Sequence, residues 1–173
     1  GLHFDGVDDT LEVTAESLML SGNSFSVALW VRAEFDRVHG LVGQRNLEGS
    51  GQYFHILLNK NKLWQDFWGG KGVSHILPAA RSGQWLHAAF TFDATSRVSI
   101  LYLDGKPVSE SLFPDPLDFA EGPLLFGMFQ AGSTKSYLAG ALDEIMIFTR
   151  PLDGVEIGAL YRHGQSDASS TPG

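Results

Sequence analysis

The segment from Tyr137 to Arg150, YLAGALDEIMIFTR, constrains the fold more than any other part of the sequence. Successive side chains of a strand point to opposite faces, so reading this segment as one strand gives two apolar rows. The rows are Leu138, Leu142, Met146 and Phe148 on one side, and Ala139, Ala141, Ile145 and Ile147 on the other. A strand that is apolar on both faces is covered on both faces. The segment therefore predicts a strand inside a β-sandwich.

Asp143 interrupts this pattern, because it falls in the same row as Ile145 and Ile147. A carboxylate buried in such a row destabilises the fold by several kcal/mol unless another group compensates its charge. We consider a bound divalent cation as the compensating group.

Turn residues divide the rest of the chain into short segments with the alternation and composition of strands. The predicted strands are Leu2–Asp5, Thr10–Val13, Ser24–Ala33, Gly40–Arg45, Gln52–Asn59, Leu63–Trp68, Gln84–Phe92, Arg97–Leu103, Lys106–Glu110 and Leu124–Phe129. About a dozen short antiparallel strands must close into a barrel or stack as two sheets, and strands with two apolar faces favour stacking. We therefore predict an all-β fold, a jelly-roll β-sandwich of two antiparallel sheets.

One short C-terminal helix is predicted from Asp153 to Arg162. Asp153 can cap its first turn while Glu156, three residues later, reaches back to the cap residue. These elements place the sandwich domain at residues 1–163 and a linker or disordered tail at residues 164–173.

The overall composition narrows the possible partners. The chain has no cysteine, which excludes disulfides and thiolate metal sites. A formal net charge of −8 with scattered basic residues argues against nucleic acid as a partner. No apolar run approaches the roughly 20 residues of a membrane helix, so membrane insertion is not expected. The first residue, Gly1, and the polar tail GQSDASSTPG suggest a module of a larger multidomain chain.

Four segments in the same order resemble the laminin G-like, concanavalin A-like lectin/glucanase domains. These segments are LHFDGVDDTLEV, FSVALWVRA, GQWLHAAFTFDATSRVSILYLDGKPV and LAGALDEIMIFTRPLDGVEIGALY. The resemblance spans essentially the whole domain. It implies two curved antiparallel sheets, a calcium site at one rim and, in many members, carbohydrate or glycoprotein binding on the concave face or its loops.

A cluster of carboxylates near the start of the chain is the first candidate site. Asp5, Asp8 and Asp9 lie within five residues, and they meet Asp143 if the first strand lies beside the last. Such charges repel one another unless a cation binds or some carboxylates are protonated. Calcium suits the cluster, because it accepts irregular all-oxygen coordination that includes main-chain carbonyls such as those around Gly6.

In the resembled family the calcium site uses the FDG and final-strand aspartates, which implies Asp5 and Asp143 as ligands here. We therefore expect a structural Ca²⁺ ion at Asp5, Gly6 and Asp143. The alternative is that GVDD is an ordinary solvated turn and that Asp143 accepts backbone hydrogen bonds.

A mixture of rings and polar side chains on neighbouring strands is the second candidate site. Sugars pack their C–H faces on aromatic rings while their hydroxyls need directional donors and acceptors. The expected ligand-binding residues are Tyr53, His55, Trp64, Asp66, Trp68, Gln44 and Arg45. The alternative is that the tryptophans belong to the core, as we expect for Trp30 and Trp85.

These observations favour a non-catalytic, lectin-like carbohydrate-binding module, stabilised by calcium, in a secreted or cell-surface protein. Its expected partner is a glycan or glycoprotein. A protein-interaction or adhesion module and a structural spacer are the alternatives. A glycoside hydrolase is disfavoured, because such enzymes need two carboxylates flanking the scissile bond and the Glu-x-Asp-x-x-Glu alternation common in sandwiches of this type is missing from the sequence.

Overall fold

Strands dominate the computed structural model, which describes residues 1–13, 20, 22–44, 54–67, 71–117, 122–131 and 133–168. The elements in chain order are β1 (Leu2–Asp5), β2 (Leu11–Val13), β3 (Phe25–Ala33), β4 (Val38–Gln44), β5 (Phe54–Asn59), β6 (Lys62–Phe67), β7 (Lys71–Ile76), a short 3₁₀ turn (Ala79–Arg81), β8 (Leu86–Asp93), β9 (Val98–Leu103), β10 (Lys106–Leu112), β11 (Leu124–Phe126), β12 (Met128–Ala131), β13 (Thr134–Tyr137), β14 (Ala139–Phe148) and α1 (Gly154–Ala168).

The strands form two six-stranded antiparallel sheets and one two-stranded hairpin. The first sheet has the order β1-β14-β3-β8-β9-β10, the second has the order β2-β11-β4-β5-β6-β7, and the hairpin is β12-β13. This architecture confirms the predicted jelly-roll sandwich. Strands β7 and β13 were not predicted, and the expected strand Leu124–Phe129 is divided at Gly127 into β11 and β12.

The main core lies between the two large sheets and is rich in phenylalanine. Phe25 from the first sheet contacts Phe54 and Phe67 from the second, with ring centroids 5.2 Å and 6.2 Å apart. Phe90 of the first sheet lies 5.7 Å from Phe54. Edge-on and tilted pairs of this kind add about 0.5–1.5 kcal/mol each beyond the burial of their area. The apolar alternation of the strands therefore fixes which face of each sheet is interior.

The two ends of the described sandwich are neighbours, as predicted. Strand β1 pairs with β14, with Leu2 opposite Leu142 and Asp5 opposite Ala139. The first strand therefore occupies the edge of the first sheet next to the long strand that ends the sandwich.

A β-bulge in β14 overturns the interpretation of Asp143 as a buried carboxylate. Asp143 is opposite Trp30 of β3, whereas Met146 is opposite Ala28, so one extra residue is inserted between them. Glu144 is the inserted residue, and its backbone has a φ of 45°. Beyond the bulge the faces exchange, because side chains alternate strictly along a strand. Asp143 consequently points to the outer face, with 48% of its side chain exposed.

Helix α1 begins with the predicted capping box. Asp153 Oδ1 accepts hydrogen bonds from the backbone N–H groups of Val155 and Glu156, both at 2.9 Å. Glu156 Oε2 accepts the N–H of Asp153 at 3.0 Å. The helix runs to Ala168 and not to Arg162, so it includes residues 164–168, which were expected to begin a linker.

The helix covers part of the outer face of the first sheet. Ile157 of α1 and Leu152 before it form a second small apolar cluster with Ala28, Ala89 and Tyr102 of the sheet. Since one face of the first sheet packs on the second sheet and the other packs on α1, the alternating apolar residues of β3 are buried on both sides.

Candidate functional site

The outer face of the second sheet carries the main candidate site. Phe54, Ile56 and Leu58 of β5 point into the core. The alternate residues of β5 therefore point outward, and the register places His55 opposite Asp66 of β6. Two polar side chains that sequence analysis assigned to one surface are thus direct neighbours across two strands.

His55 and Asp66 form a buried pair. The His55 Nε2 atom lies 3.3 Å from Asp66 Oδ2. Only 7% of His55 and 5% of Asp66 is exposed. Within the described part of the chain, the remaining polar atoms, His55 Nδ1 and Asp66 Oδ1, have no hydrogen-bond partner. A buried polar atom without a partner destabilises a fold by about 1–3 kcal/mol, so both atoms favour an additional group that would bind them.

Trp64 lies beside this pair and is half-buried. Its ring meets the His55 ring edge-on, with centroids 6.4 Å apart. The ammonium of Lys62 lies 4.8 Å from the centre of the indole ring, within the range of a cation–π contact. Trp64 therefore belongs to the outer surface and not to the core between the sheets.

Phe129 is a member of this site that sequence analysis missed. It comes from the β12–β13 hairpin and lies with its ring centroid 4.5 Å from that of His55. The hairpin lies against β4, where a Cβ on Gly40 would meet the backbone nitrogen of Phe129 at 2.1 Å and a Cβ on Gly43 would meet the carbonyl oxygen of Met128 at 3.0 Å. Two glycines within one predicted strand are the signal for such a close approach of another segment.

Gln44 does not join this surface. Its neighbour across the sheet is Leu124, whose side chain is in the core between the sheets. Gln44 Nε2 donates to the carbonyl oxygen of Gly122 at 3.3 Å. The prediction of Gln44 as a ligand-binding residue is therefore not supported, because strand alternation directs it to the opposite face from His55. The predicted partners Tyr53, Arg45 and Trp68 lie outside the described residues.

Trp85 provides a second half-buried indole on a different surface. We expected it in the core, but it precedes β8 of the first sheet and contacts the guanidinium of Arg32, 5.1 Å from the ring centre. Trp30 is buried as expected, although its ring stacks on Tyr161 of α1 and not on the second sheet.

The register of β1 and β14 separates the two aspartates that were expected to share a calcium ion. Asp5 is opposite Ala139, four residues before Asp143. Four residues of strand span about 13 Å, so one ion cannot contact both carboxylates. The predicted set of Asp5, Gly6 and Asp143 is therefore not brought together.

An acidic turn does form around Asp5. Carboxylate oxygens of Asp5, Asp8 and Asp9 all lie within 4.8 Å of one another, and the three residues are exposed. Asp9 Oδ2 accepts the N–H of Asp5 at 2.9 Å, and Asp5 Oδ1 accepts the N–H of Val7 at 2.8 Å. The turn thus satisfies some of its own oxygens while presenting the oxygen donors that calcium prefers.

A family model described as Laminin_G_3, concanavalin A-like lectin/glucanases superfamily, matches residues 5–158 of the chain. A search of curated proteins found no significant match.

Solved structures share the fold at low sequence identity. The botulinum neurotoxin serotype G binding domain superposes with a TM-score of 0.71 at 14% identity, covering 95% of this chain and 42% of that one. The binding domain of botulinum neurotoxin DC in complex with SialylT gives 0.68 at 13% identity, covering 92% and 42%. The same toxin domain in complex with rat synaptotagmin II gives 0.68 at 15% identity, covering 92% and 42%. The present chain thus spans less than half of these neighbours, and the likeness is one of fold.

Proposed function

This chain belongs to the concanavalin A-like lectin/glucanase superfamily, and we propose that it is a non-catalytic carbohydrate-binding module. The proposed site is the outer face of the second sheet around Trp64, His55 and Asp66. A glycan or glycoprotein is the proposed partner.

One observation carries this proposal: a half-buried indole lies beside two buried polar atoms that lack partners in the described structure. Trp64 offers a flat apolar surface for the C–H face of a sugar ring, and Phe129 provides a second ring on the other side of His55. His55 and Asp66 offer directional hydrogen bonds to hydroxyl groups. Ligand sites commonly combine an apolar wall with a few convergent polar groups in this way.

The proposal includes a structural calcium ion at the acidic turn. Asp5, Asp8 and Asp9 present oxygen donors close enough to share one ion, which is the chemistry that calcium selects. Bound there, the ion would offset two of the three negative charges in the turn that joins the edge strands β1 and β2. Its role would be stability and not sugar binding, because this turn and the Trp64 face belong to different parts of the sandwich.

A secreted or cell-surface location within a multidomain protein is also part of the proposal. Similar solved chains are binding domains more than twice as long as this one, which supports a role as one module among others. Along the described residues, the structure contains no helix with the length and apolarity needed to cross a membrane.

A glycan array tests the proposal with a matched pair of tryptophan variants. Trp64→Ala should abolish glycan binding, because it removes the ring on which the sugar packs. Trp85→Ala is the control, since Trp85 is also half-buried and also contacts a cationic side chain, but on the first sheet. Both variants should keep a cooperative thermal melt. Equal loss of binding in the two variants, or retention of binding in Trp64→Ala, would contradict the assigned site.

A protein-interaction or adhesion module is the second candidate, favoured by the neighbour that is in complex with rat synaptotagmin II. Silence across a broad glycan array, together with a protein partner recovered with the wild-type domain and lost with Trp64→Ala, would favour it over the lectin. Hydrolysis of a polysaccharide by the purified domain would contradict the non-catalytic proposal.

A further inference from the structure

We infer that the site at His55 and Asp66 recognises neutral sugars through their hydroxyl donors and discriminates against acidic sugars. This inference rests on the proposed function and narrows its ligand to one chemical class. It follows from the hydrogen-bonding character of His55 Nδ1 and Asp66 Oδ1, the two buried atoms with no partner among the described residues, and from the negative charge of Asp66.

The contact between the two side chains determines what each free atom can do. An ionised carboxylate can only accept hydrogen bonds, so the His55 Nε2 atom, 3.3 Å from Asp66 Oδ2, carries the proton. In the neutral form of the imidazole, the other nitrogen, Nδ1, is then an acceptor. Asp66 Oδ1 is also an acceptor. Both unpartnered atoms therefore require a donor from the ligand.

Sugar hydroxyls meet this requirement, whereas acidic groups do not. A hydroxyl can donate its proton to either atom, and two hydroxyls on neighbouring carbons can engage two acceptors at once. A carboxylate or sulfate group has only acceptor oxygens, so it would leave His55 Nδ1 and Asp66 Oδ1 without partners. The rings of Trp64 and Phe129 lie on either side of His55 and provide apolar contact for the remaining C–H groups.

The negative charge of Asp66 also favours neutral sugars over acidic ones. Asp66 is 5% exposed, so its negative charge is weakly screened and repels an anionic group that enters the site. Lys62 lies above Trp64 and would attract an anion, but its half-buried side chain reaches solvent and its field is screened by salt. The buried carboxylate therefore dominates for a group that reaches the His55–Asp66 pair.

Matched glycan pairs test this inference on the wild-type domain. Each pair should share one oligosaccharide backbone and differ only in one acidic group or one acidic residue: glucose against glucuronic acid, galactose against galacturonic acid, and a galactose end without and with a sialic acid residue. We expect the neutral member to bind at least about tenfold more tightly than its acidic partner. Equal or tighter binding of the acidic members would overturn this inference alone. If neither member of any pair bound, both the proposed function and this inference would be overturned.

A size-matched variant tests whether Asp66 causes the preference for neutral over acidic sugars. Asp66→Asn keeps the size of the side chain, removes its charge and can present an amide donor where the carboxylate accepted. This variant should bind the neutral glycan about tenfold more weakly than the wild type does. The difference in affinity between the neutral and the acidic glycan should become smaller. Asp115→Asn makes the same charge change at an exposed position and should behave as wild type. If folded Asp66→Asn showed the same difference in affinity between neutral and acidic glycans as the wild type, the role of Asp66 would be overturned. If that variant does not fold, the glycan pairs measured on the wild type decide the ligand class.

Discussion

His87 is a buried histidine whose environment makes stability depend on pH. It is 1% exposed on the outer face of the first sheet, with its ring near those of Trp30 and Tyr161. Burial lowers the pKa of His87 from 6.5 to about 4, and the nearby Asp104 carboxylate opposes this shift only in part. The unfolded chain therefore binds a proton more readily than the folded one between these two values.

We expect the free energy of unfolding to fall by about 3 kcal/mol as the pH drops from 6.5 to about 4 because of His87. The stabilisation that the neutral, buried His87 contributes is present above pH 6.5 and is lost progressively as the pH falls from 6.5 to about 4. Denaturant titrations across this range measure the effect, and His87→Gln should remove it while His3→Gln, at an exposed position, should not. An identical pH profile in wild type and His87→Gln would contradict the assignment.

Residue-level prediction succeeded where strand alternation decides the outcome. His55, Trp64 and Asp66 lie on one face because alternate residues of β5 and β6 point outward. Gln44 was misassigned because the face it occupies depends on which strands surround β4, and the pairing with Leu124 is not visible in the sequence. Phe129 was missed because it reaches His55 through tertiary packing of a separate hairpin.

At the level of elements, the capping box of α1 and most strands could be predicted from local pattern. The bulge in β14 could not, because a single residue, Glu144 with φ of 45°, exchanges the two faces without any change in composition. That one residue accounts for the wrong environment predicted for Asp143. A continuous apolar alternation therefore predicts a strand but not its register beyond an inserted residue.

The β12–β13 hairpin supports the candidate site through its packing on β4. Gly40→Ala would place a Cβ 2.1 Å from the backbone nitrogen of Phe129, so the hairpin must shift and carry Phe129 away from His55. We expect a loss of roughly 1–3 kcal/mol in unfolding free energy, as for other overpacked sites, together with weaker glycan binding. Thermal melts and glycan titrations measure both effects.

A graded pair of controls accompanies this prediction. In Gly43→Ala, the new Cβ would lie 3.0 Å from its nearest atom, the carbonyl oxygen of Met128. This substitution should lower the free energy of unfolding by less than Gly40→Ala does. Gly154→Ala meets only Tyr102, at an ordinary 3.8 Å, and should leave glycan binding unchanged. If Gly40→Ala bound glycans as tightly as wild type, Phe129 would have no part in the site.

For the molecule as a whole, the acidic turn is where the two sheets are connected at one edge. It follows β1 of the first sheet and precedes β2 of the second. An ion held by Asp5, Asp8 and Asp9 would therefore stabilise the sandwich as a unit, since it would bind the native arrangement and not the unfolded chain. At a calcium concentration of about 100 times Kd, the stabilisation is about 2.7 kcal/mol. For a domain of this size, that corresponds to a rise in Tm of roughly 5–10 °C.

Melting curves in calcium and in EDTA, for the wild type and two variants, test this prediction. Asp8→Asn removes one anionic oxygen donor from the turn and should abolish the difference in Tm between the two conditions. Asp143→Asn should retain it, because the β1–β14 register places Asp143 opposite the other end of β1 from Asp5. Equal melts of the wild type in calcium and EDTA would exclude a stabilising ion. A response lost in Asp143→Asn but kept in Asp8→Asn would instead require an ion at the bulge of β14, since a carboxylate about 13 Å away cannot be a ligand of the turn.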